Sequence, residues 1–342
     1  MESFLNNASR QAVYQVRDLS DIIAVRRAGA DLANKLLLDE DAAANVATII
    51  VEAATNIVKH AIRGEIVIRA LTHEAFHGVE ILAIDAGPGM SNPLASHVNA
   101  DAADHPDHTG IYQISRLATD FDLFSAPEKG TVLWMQVWGG QRAASPAVWD
   151  IGVICLPTPS EEACGDSWDA VESSSGLSVM VADGLGHGPD AALASQAAVE
   201  VAQQHANRSP AEIMQMAHHA LNRTRGAAVA AAHIDELLHH VDFAGVGNIA
   251  ARVITDGQCR HLMSHNGIVG SNLRKVEQLR FPWAADSMLV MQSDGIGARW
   301  NLNNYPGLFD KHPALIAAVL YRDFLRPRDD ATIVVIRRGS LN

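Results

Sequence analysis

The stretch Ala182-Asp183-Gly184-Leu185-Gly186-His187-Gly188 decides the fold of the C-terminal half of the chain. The mostly apolar residues before it, 177–182, predict a short buried strand. The alanine-rich residues after it, 190–205, contain no glycine or proline and predict a helix. A carboxylate at the end of a strand, with bare backbone around it, suits a hard cation that also takes a carbonyl ligand. An ordinary strand-to-helix turn with an Asx cap is the other interpretation of this stretch alone.

Further acidic residues at predicted strand ends favour the metal-site interpretation. Asp166 follows a Cys-Gly pair, Asp294 follows an apolar run and precedes a glycine, and Asp329-Asp330 precede the last predicted strand. A cluster of oxygen ligands without Cys or His points to Mg²⁺ or Mn²⁺ rather than to zinc. The sequence leaves open whether Asp329 or Asp330 is the ligand.

These motifs, in this order, resemble those of the metal-dependent protein phosphatases of the PPM type, in the SpoIIE and RsbX branch, over about residues 147–339. The resemblance implies an α-β-β-α sandwich and two divalent ions, Mn²⁺ or Mg²⁺. It assigns Asp183 as the catalytic ligand that bridges both ions, and the Gly184 carbonyl oxygen to one ion. It assigns Asp294 and Asp329 to the other ion, and Asp166 to a water-mediated contact.

Two other side chains with reactive groups, His187 and Cys164, lie near these motifs. His187 could donate a proton to the leaving serine oxygen, although a histidine in a turn is more often a surface group. Cys164 has no basic neighbour in sequence, so we interpret it as a packing residue.

The N-terminal half shows a different pattern. Ser20-Asp21 predicts a helix cap before an amphipathic helix over residues 22–37. The acids of residues 39–41 suit the start of a second helix, which we expect to run to about residue 60. That helix carries Glu52 and Asn56, which lie four residues apart and therefore share one face.

This half resembles the GHKL ATP-binding fold, in the RsbT and anti-sigma-factor kinase branch, over about residues 10–139. The resemblance implies ATP with Mg²⁺ as the cofactor. It assigns Glu52 as the catalytic general base, Asn56 as a Mg²⁺ ligand and Asp85 as the group that reads the adenine amino group. The remaining matched positions let the backbone approach the nucleotide: Gly87, Gly89, Gly110, Gly130 and Thr131.

One position departs from the GHKL pattern. The lid motif of that family has a glycine where this chain has Tyr112. A tyrosine removes conformational freedom at a site where backbone N–H groups would wrap a phosphate. The N-terminal half therefore has three interpretations: a working kinase, a module that only docks or senses nucleotide, and an anti-sigma-factor binding module.

Composition sets limits on the partners and the compartment. The chain has 342 residues, 48% of them hydrophobic, and a formal net charge of -13. The acidic balance argues against nucleic acid and anionic membranes as partners. Its 3 cysteines form no CxxC pair, and with no signal peptide or membrane span in the sequence we expect a cytoplasmic protein.

The predicted organisation is α+β: an N-terminal GHKL (Bergerat) α/β sandwich, residues 1–140, followed by a linker, 141–146, and a C-terminal PPM-type sandwich, 147–342. The resemblances imply a metal-dependent protein serine/threonine phosphatase with an RsbT-like kinase domain. The implied substrate is a STAS-domain protein in a partner-switching pathway of stressosome or sigma-factor type. A sigma factor or a downstream switch protein is the further implied partner. The identity of the STAS protein, Mg²⁺ against Mn²⁺ and the oligomeric state stay open.

Overall fold

The computed structural model describes residues 2–3, 10–73, 76–91, 109–140, 148–173, 175–273 and 275–339. The chain divides into two compact units. The N-terminal unit contains Asn7–Ser145 together with Pro306–Arg322. The C-terminal unit contains Met1–Asn6, Pro146–Tyr305 and Asp323–Asn342. The predicted linker, residues 141–146, lies outside the described residues.

The N-terminal unit is built on one antiparallel sheet. The first described element of the chain, β1 (Glu2–Ser3), belongs to the other unit. The N-terminal unit then contains β2 (Ala12–Val16), α1 (Leu19–Lys35), α2 (Glu40–Asn56), a π-helical turn (Ile57–Ala61), β3 (Gly64–His73), β4 (Phe76–Asp85), α3 (Thr109–Leu117), β5 (Asp120–Ser125) and β6 (Thr131–Trp138). The strand order in this five-stranded sheet is β2-β3-β4-β6-β5.

Aspartate side chains start both long helices of this unit. One carboxylate oxygen of Asp18 accepts the backbone N–H groups of Ser20 at 2.8 Å and Asp21 at 3.2 Å. The predicted cap at Ser20-Asp21 is therefore wrong, because these residues donate to a cap that lies two positions earlier. Asp39 accepts from the Ala42 N–H at 2.8 Å, which confirms the predicted start of the second helix.

The second helix does not continue regularly to residue 60. The α-helix ends at Asn56 and widens into the π-helical turn, after which Ile62 takes a φ of 70°. Such wide turns are frequent at functional sites. Asn56 is thus the last residue of the regular helix.

The main core of this unit lies between the sheet and its three helices. Alternate residues of the inner strands point at this core because successive side chains on a strand face opposite ways. The core includes Val46, Ile49 and Ile50 of α2, Ile81 of β4 and Met135 of β6, all with 0% exposure.

The opposite face of the same sheet is also buried. Arg69 and Glu80 form an ion pair there, with Nε and Oε2 2.5 Å apart. The Trp134 indole N–H donates to Glu80 at 3.0 Å. Glu80 Oε1 accepts hydrogen bonds from Arg69 and Trp134, whereas Arg69 Nε and Glu80 Oε2 make no further hydrogen bond within the described residues and are held together by their opposite charges.

The segment Pro306–Arg322 packs against this second face, although it lies far away in sequence. The His312 ring stacks on Trp134 with 3.6 Å between ring centroids. Lys311 Nζ lies 2.9 Å from the Asp122 carboxylate, which also accepts the His312 backbone N–H. The structure therefore differs from the sequence-based division at this segment, which the sequence assigns to residues 147–342.

The C-terminal unit is a sandwich of two antiparallel sheets. Besides β1 it contains β7 (Trp149–Leu156), β8 (Asp166–Ser173), β9 (Gly176–Gly184), α4 (Pro189–Gln204), α5 (Pro210–Ala220), β10 (Ala227–Asp235), β11 (His240–Val246), β12 (Ala250–Thr255), β13 (Gln258–Leu262), β14 (Leu279–Pro282), β15 (Met288–Gln292) and β16 (Ala331–Arg338). The strand orders of its two sheets are β1-β8-β9-β10-β11-β14 and β13-β12-β15-β16-β7. Helix α6 (Pro313–Phe324) lies between β15 and β16 in the sequence, but its residues up to Arg322 belong to the N-terminal unit.

The inner faces of the two sheets share one core. Val179 and Phe243 from the six-stranded sheet belong to the same buried cluster as Val253 and Leu289 from the five-stranded sheet. Helices α4 and α5 cover the outer face of the six-stranded sheet, through a second cluster that includes Met214. The predicted α+β class is confirmed.

The last helix, α6, is apolar all round. Every residue from Pro313 to Tyr321 is buried. A helix without a polar face is stable only where it is buried on all sides. Of the helices in the described part of the chain, none has the length and hydropathy needed to span a bilayer.

Candidate functional site

Four acidic stretches of the C-terminal unit meet at one end of its two sheets. Strands β8 and β9 pair so that Asp166 lies directly opposite Asp183. Asp294 follows β15, and Asp329-Asp330 immediately precede β16, the strand that pairs with β15. The residues that the sequence predicts as metal ligands are therefore brought together by strand pairing.

Hydrogen bonds fix two of these carboxylates. The Ser293 hydroxyl donates to Asp166 at 2.6 Å and accepts the Thr332 backbone N–H at 2.9 Å. The Asn248 amide donates to Asp294 at 2.7 Å. Asp166 belongs to one sheet and Ser293 follows a strand of the other, so this bond ties the two sheets together at the site.

The carboxylates repel one another in a poorly solvated place. Burial raises the pKa of Asp166 to about 7, and the charges of Asp330 and Asp329 add to this. Burial also raises the pKa of Asp183 to about 8, with the charge of Asp166 as the next cause. A divalent cation bound here would offset this repulsion between the carboxylates.

Asp329 and Asp330 have different environments. Both oxygens of Asp330 accept backbone N–H groups, from Thr158 at 2.8 Å and Gly165 at 2.9 Å. After burial, the main causes that raise the pKa of Asp329 are the charge of Asp294 and a hydrogen bond with it. Asp330 thus fastens two loops, whereas Asp329 faces the acidic cluster.

The ligand atoms that this cluster offers decide which metal ions it can hold. In the described ranges, no three His, Cys, Asp or Glu side chains are arranged closely enough to hold an ion directly. The donors are all oxygens, and Mg²⁺ typically keeps several waters while taking only one or two carboxylates. The donor set therefore fits hydrated divalent ions, with Asp183, Asp294 and Asp329 as the candidate ligands.

The glycine-rich turn after β9 lies beside these acids. The Gly184 N–H donates to the Gly165 carbonyl at 3.1 Å, which links the turn to the stretch before Asp166. His187 Nδ1 lies 2.7 Å from Glu161, and its ring is well exposed. Cys164 packs against Cys155, with the sulfurs 3.8 Å apart, and this contact and burial raise the pKa of the Cys164 thiol.

The second predicted site lies in the N-terminal unit. A Cβ placed on Gly110 would stand 3.2 Å from Glu52 Oε2 and 3.3 Å from Asn56 Oδ1. The start of α3 therefore contacts the polar face of α2, where its free N–H groups favour an anion. The Asn56 Nδ2 atom is buried and has no hydrogen-bond partner among the residues that the structure describes. Tyr112 lies in the first turns of α3, where a helical backbone tolerates a tyrosine.

The Asp85 turn is built around one carboxylate. Asp85 Oδ1 accepts the N–H groups of Gly87 at 2.8 Å and Thr131 at 3.2 Å. Gly130 has a φ of 68°, and a Cβ there would collide with the Asp85 carbonyl oxygen, so only glycine fits. Burial raises the pKa of Asp85, against these hydrogen bonds and the nearby charge of Arg322, which lower it.

A cavity of about 240 Å³ lies between Asn56 and the Asp85 turn, and neither Glu52 nor Gly110 is part of its lining. Its walls combine apolar side chains with a few polar groups, as in small-molecule sites. The lining includes Asn56, Asp85, Gly89, Thr131 and the apolar Ile111 and Leu133. The orphaned amide of Asn56 and the carboxylate of Asp85 fit a ligand that has both donors and acceptors, as adenine nucleotides do.

Several residues that organise these sites belong to none of the sequence motifs described above. Ser293 is adjacent to a predicted ligand, so neighbourhood is a usable signal for it. Asn248 and Arg322 lie 46 residues before Asp294 and 237 residues after Asp85, and they reach the sites only through folding. The Arg322 guanidinium donates to the Asp85 carbonyl oxygen at 3.0 Å.

Comparisons with known families agree with both halves. The model of the stage II sporulation protein E (SpoIIE) family matches residues 173–339. The model of the histidine kinase-like ATPase domain matches residues 16–137. The two matches do not overlap, so the chain has two different domains in tandem.

Individual relatives add detail. The serine/threonine-protein kinase RsbT of Bacillus subtilis (strain 168) is 29% identical over 118 residues, which is 34% of this chain and 89% of RsbT. A solved structure from a study of the bacterial stressosome is 25% identical with a TM-score of 0.52, and the match covers 55% of this chain and 99% of that chain.

A crystal structure of RsbX with magnesium is 20% identical with a TM-score of 0.49, and that match covers 58% of this chain and 98% of RsbX. The two family models and the RsbT match show that the chain carries an N-terminal histidine kinase-like ATPase domain with a homologue in the RsbT kinase and a C-terminal SpoIIE-type phosphatase domain, and that it is an enzyme of the protein serine/threonine phosphatase class.

Proposed function

We propose that this protein is a metal-dependent protein serine/threonine phosphatase whose N-terminal domain binds ATP. Its substrate is a phosphorylated STAS-domain protein in a partner-switching pathway of stressosome or sigma-factor type, in the cytoplasm. The observation that carries the proposal is the meeting of Asp166, Asp183, Asp294 and Asp329 in a partly buried, carboxylate-rich site. The RsbT homologue supports the choice of pathway.

The residues of the C-terminal site have separate roles in this proposal. Asp183 and the Gly184 carbonyl would hold one ion, and Asp183, Asp294 and Asp329 would hold the other in part through bound water, because no three described carboxylates are close enough to hold one ion directly. Divalent ions, Mn²⁺ or Mg²⁺, lower the pKa of a bound water and neutralise phosphoryl charge when they are present. Asp166 acts through water, since the Ser293 hydroxyl already occupies one of its oxygens. The two backbone hydrogen bonds of Asp330 support Asp329 as the ligand.

His187 is the candidate proton donor. Its Nδ1 atom faces Glu161, and a carboxylate partner favours a proton on that nitrogen. The ring can then carry its second proton on Nε2 and release it to the serine or threonine oxygen that leaves phosphate.

In the N-terminal domain, Asn56 would hold the Mg²⁺ that binds the ATP phosphates. Asp85 would accept a hydrogen bond from the adenine amino group. Glu52 would accept the proton of a protein hydroxyl if phosphoryl transfer occurs. Gly87, Gly89, Gly110, Gly130 and Thr131 would contact the nucleotide through their backbones. We extend the domain proposal to residues 1–140 for the ATPase domain and 147–342 for the phosphatase domain, joined by the linker 141–146, with the segment Pro306–Arg322 of the second range packed in the N-terminal unit.

The second candidate is a domain that binds nucleotide without transferring phosphate. Tyr112, at the position of a lid glycine, favours it. Glu52→Ala separates the two candidates, because a general base acts in the chemical step and its loss should leave ATP binding intact. Isothermal titration calorimetry with ATP and transfer of labelled phosphate from ATP to a STAS protein distinguish a kinase from a sensor.

The phosphatase proposal is tested on the full chain. A phosphorylated STAS-domain protein should lose phosphate in the presence of Mn²⁺ or Mg²⁺, and excess chelator should stop the reaction reversibly. Full activity in excess chelator would contradict metal dependence. Hydrolysis of small phosphate esters without any hydrolysis of the phosphoprotein would contradict the substrate class.

A further inference from the structure

One cationic side chain is held over the glycine-rich turn of the C-terminal site. Arg225 precedes Gly226, whose carbonyl oxygen accepts the Leu185 N–H at 3.0 Å. Strand pairing continues from there, with Gly184 opposite Ala227. The backbone therefore fixes Arg225 beside the turn that follows Asp183.

The guanidinium reaches across this turn. Its Nη1 atom lies 3.2 Å from the place where a Cβ on Gly186 would stand. Its Nη2 atom lies 2.7 Å from Asp190 Oδ2, and 50% of the Arg225 side chain and 63% of the Asp190 side chain are exposed. An ion pair so open to water contributes little to stability, so another anion can replace Asp190.

The negative charge of the neighbouring site suggests what Arg225 binds. The site is lined by carboxylates, and a phosphate monoester brings further negative charge. A guanidinium carries a permanent positive charge, and its planar fork matches two phosphate oxygens. Cations that the site binds would balance the carboxylates, and Arg225 would balance the incoming phosphate.

We propose that Arg225 binds the phosphate group of the phosphoserine or phosphothreonine substrate, and that Asp190 holds the guanidinium in place while no substrate is bound. The inference rests on the phosphatase function proposed above. It names a substrate-binding residue on the turn between α5 and β10 and a carboxylate that competes with the substrate for it.

Steady-state kinetics of the full chain with Mn²⁺ test this assignment. Arg225→Gln should raise KM about tenfold for both a phosphoprotein and a small phosphate ester, and raise the inhibition constant of inorganic phosphate by a similar factor. kcat should change by less than about twofold, since the ions and their ligands remain. Arg225→Lys should recover part of the loss, because it restores charge without the fork.

Two matched variants make the test specific. Arg223→Gln removes an exposed arginine two residues away and should leave every constant unchanged. Asp190→Asn removes the competing carboxylate and should lower KM. A structural role for the ion pair predicts instead that Arg225→Gln and Asp190→Asn shift KM in the same direction, and this result would overturn the proposal.

Direct binding of inorganic phosphate, followed by calorimetry in Mn²⁺, separates this inference from the proposed function. If the wild-type protein hydrolyses phosphoprotein but Arg225→Gln leaves KM and phosphate binding unchanged, the inference fails and the function stands. If no phosphoprotein is hydrolysed but phosphate binding depends on Arg225, the function fails and the anion site stands. Phosphate binding that is equal in both proteins overturns the inference in either case.

Discussion

At the scale of single residues, we expect Asp183 to be needed for catalysis and to lower the stability of the metal-free protein. Its carboxyl group is crowded by burial and by neighbouring acids, which raise its pKa to about 8. Asp183→Asn should abolish phosphatase activity and raise the free energy of unfolding of the metal-free protein. The gain should be on the order of 1–2 kcal/mol, with the pKa shift discounted for partial exposure to solvent. Thermal unfolding in excess chelator measures it.

The control for this prediction is an acid on the same unit. Glu200 is exposed on α4, and Glu200→Gln should leave both activity and stability unchanged. Mn²⁺ should raise the unfolding temperature of the wild-type protein and of Glu200→Gln, but much less that of Asp183→Asn. A metal-free Asp183→Asn protein less stable than wild type would show that the carboxylates do not repel one another.

Asp329 and Asp330 are adjacent, yet their substitutions should differ. Asp330→Asn leaves one of two buried N–H groups, of Thr158 or Gly165, without its acceptor and should lower stability by about 1–3 kcal/mol. Asp329→Asn should leave metal-free stability unchanged or higher, and weaken Mn²⁺ binding. Unfolding in chelator and Mn²⁺ titration by calorimetry measure the two effects. The reverse pattern would make Asp330 the ligand.

The Asp85 carboxylate should make nucleoside binding depend on pH. Burial raises its pKa, so the folded protein takes up a proton at a pH where an exposed aspartate is still ionised. Because Oδ1 already accepts two backbone N–H groups, a bound proton would lie on Oδ2, and only the ionised form leaves Oδ2 as an acceptor for a hydrogen bond from the adenine amino group. Adenosine affinity should therefore fall as pH drops through this raised pKa. Adenosine is used because it lacks phosphates that titrate. Asp85→Asn should bind more weakly and show a flatter profile; an unchanged profile would place the adenine elsewhere.

At the scale of elements, local sequence patterns predict the helices, the strands and the acidic turns. The contacts between elements that are distant in sequence cannot be predicted in this way. The acids at its start locate α2, and the four-residue spacing places Glu52 and Asn56 on one face of it, because both signals act within a few residues. The acidic turns are predictable since each directly follows or precedes a predicted strand. The hydrogen bond from Ser293 to Asp166 is not predictable, because it joins residues 127 positions apart in different sheets.

Helix α6 carries the clearest example of a long-range effect on a site. Arg322 near its C-terminus donates to the Asp85 carbonyl oxygen, and its charge lowers the pKa of Asp85. Arg322→Gln should weaken adenosine binding several-fold, because the Asp85 turn loses a hydrogen bond and a stabilising charge. Calorimetry on the full chain measures this. Arg326→Gln, just beyond the helix and exposed, is the control and should bind adenosine as wild type does.

At the scale of the whole molecule, the order of the sequence and the division into compact units disagree at one segment. Residues 306–322 follow Asp294 in the phosphatase half, yet they complete the N-terminal unit through His312, Trp134 and the Tyr321 hydrogen bond to Glu65. A boundary drawn from sequence cannot detect this, because the segment is recognised only by the sheet that it packs against. Residues 1–140 alone would leave the buried Arg69–Glu80 pair without this cover.

The packing of residues 306–322 in the N-terminal unit predicts how a cleaved chain behaves. Cleavage at an engineered protease site within residues 141–146 should leave the two fragments associated, because 306–322 of the second fragment remains packed in the N-terminal unit. Size-exclusion chromatography at micromolar concentration should give one peak with the mass of the intact chain. Combined His312→Ala and Tyr321→Phe substitutions remove the ring stacking and the hydrogen bond to Glu65, and should weaken the association. Lys35→Gln, on the helix-covered side of the same unit, is the matched control and should leave the peak intact. Spontaneous separation of the unsubstituted fragments without denaturant would show that the segment does not bind the N-terminal unit strongly enough to act as part of it.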